Sequence, residues 1–178
     1  DRAVVARPLL RLGQVRGAAG HQRFQHLPEK WSGHDRAISI RGLTPGVAFH
    51  LAECCHPVPG DRIVGIRVPD KGVEVHAIDC LSLASGVDAD WLDLSWGDRT
   101  TGAVGRLRVL LHNRPGTLAE AAGIFAGNRA NIVSLEMTGR DELFGTYEVD
   151  LEVSDLAHLT RIVSALRASD AVAEAERI

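Results

Sequence analysis

The chain has 178 residues, of which 45% are hydrophobic and 24% charged, with a formal net charge of −3, so it can build two small cores but lacks the positive balance of a general nucleic-acid binder. No apolar run is long enough to span a membrane, no charged-then-apolar secretory leader opens the chain, and three cysteines do not make an even disulfide framework. These features lead us to expect a cytoplasmic protein, and the start at Asp1 with Met137 as sole methionine reads as a piece cut from a longer polypeptide.

Residues 1–36 are rich in arginine, with Gly17-Ala18-Ala19-Gly20 and three histidines interspersed. They read as a basic linker or the end of a preceding domain; such a segment could touch RNA, but a solvated connector is the preferred reading.

Residues 37–96 form the first organised segment. Its centre is His50-Leu51-Ala52-Glu53-Cys54-Cys55-His56-Pro57-Val58-Pro59-Gly60-Asp61, where turn chemistry dominates. Arg62–Val68 predicts a strand, Asp70-Lys71-Gly72 a hairpin turn, Val73–Ala77 the return strand, Asp79–Leu83 one short helix, and Trp91–Trp96 a further strand. The expected fold is a small mixed domain, mainly antiparallel β with one short helix. All three cysteines fall here, and Cys54, Cys55, His76 and Cys80 carry the donor types that zinc prefers. Adjacent cysteines on an extended chain point to opposite faces, however, so a shared ion would require a bent backbone. Reduced, partly buried thiols are therefore preferred over zinc, and no cofactor is assigned. A cysteine nucleophile with His56 or His76 as base has no group to orient it.

Residues 97–104 read as a linker, and 105–178 as strand, helix, strand, strand, helix, strand. Leu107, Val109 and Leu111 alternate with arginines, whereas Leu118, Ala121, Ala122 and Phe125 recur at helical spacing. Ile132–Met137 makes the second strand, Gly139–Glu142 the turn, and Tyr147, Val149, Leu151 and Val153 the third strand. Ser154 offers an N-cap ahead of Leu156, Leu159, Val163 and Leu166, and Asp170–Ile178 closes the sheet. The period pattern is that of a ferredoxin-like βαββαβ sandwich, so the whole chain is expected to be α+β.

Between the first strand and first helix lies Asn113-Arg114-Pro115-Gly116-Thr117-Leu118. The Pro-Gly corner turns the chain onto a helix, Thr117 with Glu120 fits a Thr-x-x-Glu capping box, and free helix N–H groups suit a carboxylate. The alternative is a well-made helix start with no guest, in which Asn131 merely ends a turn, Arg114 is solvated and His112 is a strand-end residue.

This loop, followed by Asn131-Ile132 on the second strand, resembles the signature of an ACT domain, a regulatory module that binds amino acids. The resemblance implies ligand contacts from Asn113, Gly116, Thr117, Leu118, Asn131 and Ile132, with Arg114 and Pro115 completing the loop. No charge in the implied contact set awaits a charged side chain, so valine or isoleucine is the expected ligand.

The order of motifs is more specific still. Cys-Cys-His-Pro-x-Pro-Gly-Asp-x-Ile-Val-Gly, then Gly-Val-x-Val-His-x-x-Asp-Cys, then an ACT-like domain, is similar to the C-terminal region of the long RelA/SpoT-type enzymes that make and degrade the alarmone (p)ppGpp. The resemblance implies that 37–96 is a zinc-finger-like, ribosome-intersubunit module facing ribosomal RNA and tRNA through Cys54, Cys55, His76 and Cys80. Arg62 and Arg67 could reach phosphates, although the segment is net acidic. It further implies a homodimer through the ACT domain, with the fourth strand as an exposed edge, and an amino-acid signal that biases the enzyme toward (p)ppGpp hydrolysis. No catalytic residues are assigned within this chain, since no phosphate-binding loop, carboxylate pair or Ser-His-Asp order is legible. A ligand-free ribosome-docking module and the ACT tail of an amino-acid biosynthetic enzyme are the alternatives; the cysteine motif argues against the second.

Overall fold

In a computed structural model that describes residues 4–6, 38–85 and 90–178, the chain forms two sheets in sequence. The first contains strands β1 (Val4–Ala6), β2 (Ile38–Arg41), β3 (Phe49–Leu51), β4 (Ile63–Val68), β5 (Gly72–Ala77) and β6 (Trp91–Trp96), in spatial order β1-β2-β6-β4-β5-β3. All pairings are antiparallel except β3 with β5. Ile40, Leu43, Ile63, Val73, Val75 and Leu94 form its core. The β4–β5 hairpin turns at Asp70-Lys71, and glycine is required at 72 both by its φ of +89° and because a Cβ there would overlap the Ala48 carbonyl. The expected short helix is a 3-10 turn, Leu81–Ser85, slightly later than the composition suggested. Part of the expected N-terminal linker is a strand: β1 pairs with β2, while the other residues of 1–36 lie outside the described residues.

The second sheet contains β7 (Ala103–His112), β8 (Asn131–Arg140), β9 (Phe144–Val153) and β10 (Val172–Arg177), all antiparallel in the order β10-β7-β9-β8, with helices α1 (Thr117–Gly127) and α2 (Leu156–Arg167). This is the expected βαββαβ arrangement. Leu107, Val109, Leu111, Val149 and Leu151 lie on the covered face, and Phe125, Leu159, Ile162 and Leu166 bury the apolar stripes of the two helices against them. Such fully buried side chains each contribute about 1.5–3 kcal/mol.

Two helix-start expectations are corrected. The N-cap of α1 is Gly116, with no side-chain cap; the Thr117 hydroxyl donates instead to the carbonyls of His112 and Arg114, and the Glu120 carboxylate accepts from Ser169. The N-cap of α2 is Asp155 rather than Ser154, since its Oδ1 accepts from the His158 N–H at 2.7 Å. An acidic side chain completes that helix start better than a hydroxyl because it also answers the helix dipole. Strand β8 runs on through Gly139 and Arg140, so the turn begins only at Asp141, whose Oδ1 accepts from the N–H groups of Leu143 and Phe144. Both β8 and β10 are edges, but β8, the second strand of this module, carries the larger apolar exposure.

Candidate functional site

The β7–α1 loop bounds a pocket of about 160 Å³. Its wall includes Leu111, Asn113, Thr117 and Leu118 from the first strand and helix, with Met137, Arg140 and Tyr147 from β8 and β9. Gly116, in the left-handed region at φ +93°, turns the chain so that the start of α1 faces this space. Asn113 is braced at both ends: its Nδ2 donates to the Asp141 carbonyl at 2.7 Å, and its Oδ1 accepts from Arg140 Nη2 at 3.0 Å. Arg114 reaches the other way, to the carbonyl of Asp170, and His112 stacks on Phe144.

Of the residues named from the sequence, Asn113, Arg114, Gly116, Thr117 and Leu118 line this pocket and Pro115 does not, while Asn131 and Ile132 do not join them within one chain. Asn131 is paired in register with Glu152 at the far end of the sheet, and its Nδ2 donates to the Glu152 carboxylate. Arg140, beside the pocket, is at the opposite end of β8, so the separation is roughly 30 Å at about 3.3 Å per residue. Arg140, Met137 and Tyr147 escaped sequence reasoning. Gly139-Arg140 looked like turn residues, and nothing local showed that β9 would return its Tyr147 to the same wall.

The cysteine cluster assembles more fully than its sequence suggested. Glu53–Cys55 lie in a turn, the His56 N–H donates back to the Ala52 carbonyl, and His56 itself has φ +41°, so the backbone is bent where the adjacent cysteines require it. One ligand atom each from Cys54, Cys55, His76 and Cys80 falls within 4.8 Å of the others. Cys54 Sγ lies 3.4 Å from both His76 Nδ1 and Cys80 Sγ, and Cys55 Sγ lies 3.9 Å from His76 Nδ1. A tetrahedron with Zn–S of about 2.3 Å and Zn–N of about 2.0 Å has edges of roughly 3.5–3.8 Å, so the donor set fits that ion. The other ring nitrogen of His76 lies 3.5 Å from the Glu74 carboxylate, the kind of partner that orients a ligating imidazole. The Glu-x-His spacing on one face of β5 was the available signal for Glu74. Burial pushes the Cys55 thiol up to about 12, whereas at Cys80 burial is outweighed by hydrogen bonds from His76, Cys54 and Ser82, which together bring it down to about 7.

The loop after the cysteines docks on the second module. Val58-Pro59-Gly60-Asp61 is a tight turn with Gly60 at φ +102°, closed by the Asp61 N–H on the Val58 carbonyl. Val58 is fully buried in the core of the second module, and the Leu156 N–H at the start of α2 donates to the Pro59 carbonyl. Arg177 binds Asp61 with two hydrogen bonds and adds bonds to the carbonyls of Cys55 and His56. His56, whose Nε2 is buried without a hydrogen-bond partner, has its pKa lowered by burial and then by Arg106. Of the RNA-facing candidates, Arg62 precedes β4 and its carbonyl accepts from the Ile78 N–H, which places it close to the cysteine cluster.

Comparison with known proteins agrees with both modules. The family model described as RelA/SpoT RIS domain matches residues 38–97, and that described as ACT domain matches residues 104–177. The GTP pyrophosphokinase rsh of Brucella ovis is 38% identical over 148 residues, 80% of this chain and 20% of that protein. The GTP pyrophosphokinase of Escherichia coli K12 is 26% identical over 162 residues, 88% of this chain and 22% of that protein. The chain thus spans about a fifth of the length of these relatives. Among solved structures, the ACT domain from GTP pyrophosphokinase of Chlorobium tepidum is 22% identical with a TM-score of 0.39, covering 44% of this chain and 100% of that one. Two family matches in the expected order, over the elements just described, lead to one conclusion: the chain belongs to the RelA/SpoT family and corresponds to its C-terminal regulatory region, a RIS domain followed by an ACT domain.

Proposed function

We propose that this chain is the amino-acid-sensing part of a RelA/SpoT-type (p)ppGpp synthetase/hydrolase, with valine or isoleucine as the signal. The pocket beside the β7–α1 loop carries this reading. It offers space for a small aliphatic side chain against Leu111, Leu118 and Met137, next to polar groups suited to the ligand's backbone. An amino acid that binds one arrangement of the enzyme better than another shifts the balance by that difference in affinity, here toward hydrolysis.

The distance between the loop and Asn131 supports a dimer in this scheme. Strand β8 is a ten-residue edge with Ile132, Val133, Leu135 and Met137 exposed by 37–50%, an arrangement that invites a second strand. Antiparallel pairing of two β8 strands about a two-fold axis puts each Asn131 end beside the other protomer's Arg140 end. Asn131 and Ile132 of one copy then complete the pocket of its partner, which a single chain cannot do.

In the RIS domain we propose a structural zinc held by Cys54, Cys55, His76 and Cys80. When bound, the ion would supply a cross-link between the 53–56 turn and the β5–Cys80 segment. The chain's own residues set the presentation: Glu74 orients His76, while Arg177 fixes the loop on the ACT domain. Docking of this module on ribosomal RNA and tRNA would use that surface with Arg62 as a phosphate contact, while Arg67, at the hairpin end of β4 and paired with Asp90 at 2.8 Å, would contact phosphate only by releasing that partner; a pure docking role without an amino-acid ligand is the competing reading.

Calorimetry with each of the twenty amino acids tests the sensor reading. Saturable heat is expected for valine or isoleucine, with none for acidic or basic members. No saturable heat for any aliphatic amino acid leaves the docking role.

A further inference from the structure

We infer that Arg140 is the carboxylate receptor of the amino-acid pocket and that Asn113 serves to position it. This deepens the ligand reading above and rests on it. The pocket wall contains two cations, Arg114 and Arg140, and no acidic side chain. A site so lined favours an anionic group. Arg114 is turned toward the Asp170 carbonyl. Arg140 lines the pocket with its guanidinium held by one hydrogen bond to Asn113 Oδ1, and no carboxylate among the described residues lies within salt-bridge distance of it.

A guanidinium has five donors in a planar fork, so one bond to Asn113 leaves others for a bidentate carboxylate. The Asn113 amide cannot rotate away cheaply, because its Nδ2 is held at 2.7 Å by the Asp141 carbonyl. Asp141 is itself fixed by its side-chain bonds to the Leu143 and Phe144 N–H groups. The turn that ends β8 thus pre-orients Asn113, which pre-orients Arg140. Preorganisation of this kind spares the side-chain entropy that capturing the ligand would otherwise cost. The start of α1 lies on the same pocket wall, so its dipole assists the same negative charge.

The test measures valine affinity for the 178-residue chain, its Arg140→Met and Arg140→Lys variants, and repeats each with valinamide, which replaces the carboxylate by a neutral amide. Arg140→Met should weaken valine by about tenfold or more while changing valinamide little, and Arg140→Lys should recover part of the loss. Equal weakening of both ligands would mark Arg140 as structural only. Unchanged or tighter valine binding by Arg140→Met would also overturn the assignment, with the sensor reading intact. Failure of the wild-type chain to bind valine or any other amino acid would remove both.

Discussion

Arg177 in the last strand of the ACT domain donates to both carboxylate oxygens of Asp61 in the RIS domain, at 2.8 and 2.6 Å, across 116 residues of sequence. Asp61 Oδ2 also accepts from the Val58 N–H, and the Asp61 carbonyl accepts from the Trp96 indole. One acidic residue therefore ties the post-cysteine turn to both domains. Because the Asp61 side chain is 8% exposed, removing its cationic partner leaves a buried charge. Arg177→Met should cost about 2–4 kcal/mol and move the unfolding of the RIS domain away from that of the ACT domain. Chemical denaturation followed by tryptophan fluorescence and far-UV circular dichroism checks this, since all three tryptophans lie outside the ACT domain.

Gly72 begins β5 at φ +89° with its α-carbon against the Ala48 carbonyl, whose oxygen also accepts the Val73 N–H. Gly72→Ala should lower RIS stability by at least about 2 kcal/mol, from combined left-handed strain and overlap, and raise amide exchange rates more in the RIS domain than in the ACT domain. Hydrogen exchange read residue by residue separates the two domains.

The Arg106 guanidinium beside Asp150, at 2.6 Å, holds that carboxyl below its ordinary 3.8. A depressed carboxylate stabilises the fold above its unfolded value and loses that contribution as pH falls through the folded value. Arg106→Met should therefore reduce stability at neutral pH, and the gap from wild type should close as pH falls below 3.8. Urea titrations at a series of pH values measure the gap; one that stays constant down to acid pH would deny the linkage.

Leu135 sits at the middle of the exposed β8 edge. Leu135→Lys should shift the chain from dimer to monomer in sedimentation and weaken valine binding in parallel, since the partner's Asn131 would be lost from the pocket. Monomerisation with full valine affinity would place the whole ligand site within one protomer.

Much of this was legible from local patterning. Period-2 and period-3.6 apolar spacing located β7, α1, β9 and α2, because each buries one face against one core. The loop at Asn113–Leu118 was legible because Pro115 fixes its own φ while Gly116 tolerates the left-handed φ of +93° that the corner requires. What local sequence did not reveal depended on distant partners. The Thr117–Glu120 capping box gave way because His112 and Arg114 carbonyls capture the hydroxyl and Ser169 engages the carboxylate. The gathering of Cys54 and Cys55 onto His76 depends on a bend that the RIS–ACT contact helps hold through Arg177. Asn131 has the right residue type for the pocket but the wrong end of the strand, a fact fixed by register rather than composition.

Amide chemical shifts of the isotope-labelled chain during valine titration test the sensor account most directly. Saturable shifts are expected at Gly116, Thr117 and Leu118, together with Asn131 and Ile132 at the end of β8 some 30 Å from Arg140, because a dimer presents both ends of β8 to one ligand. Valine in large excess with no shift at either group of amides would contradict it.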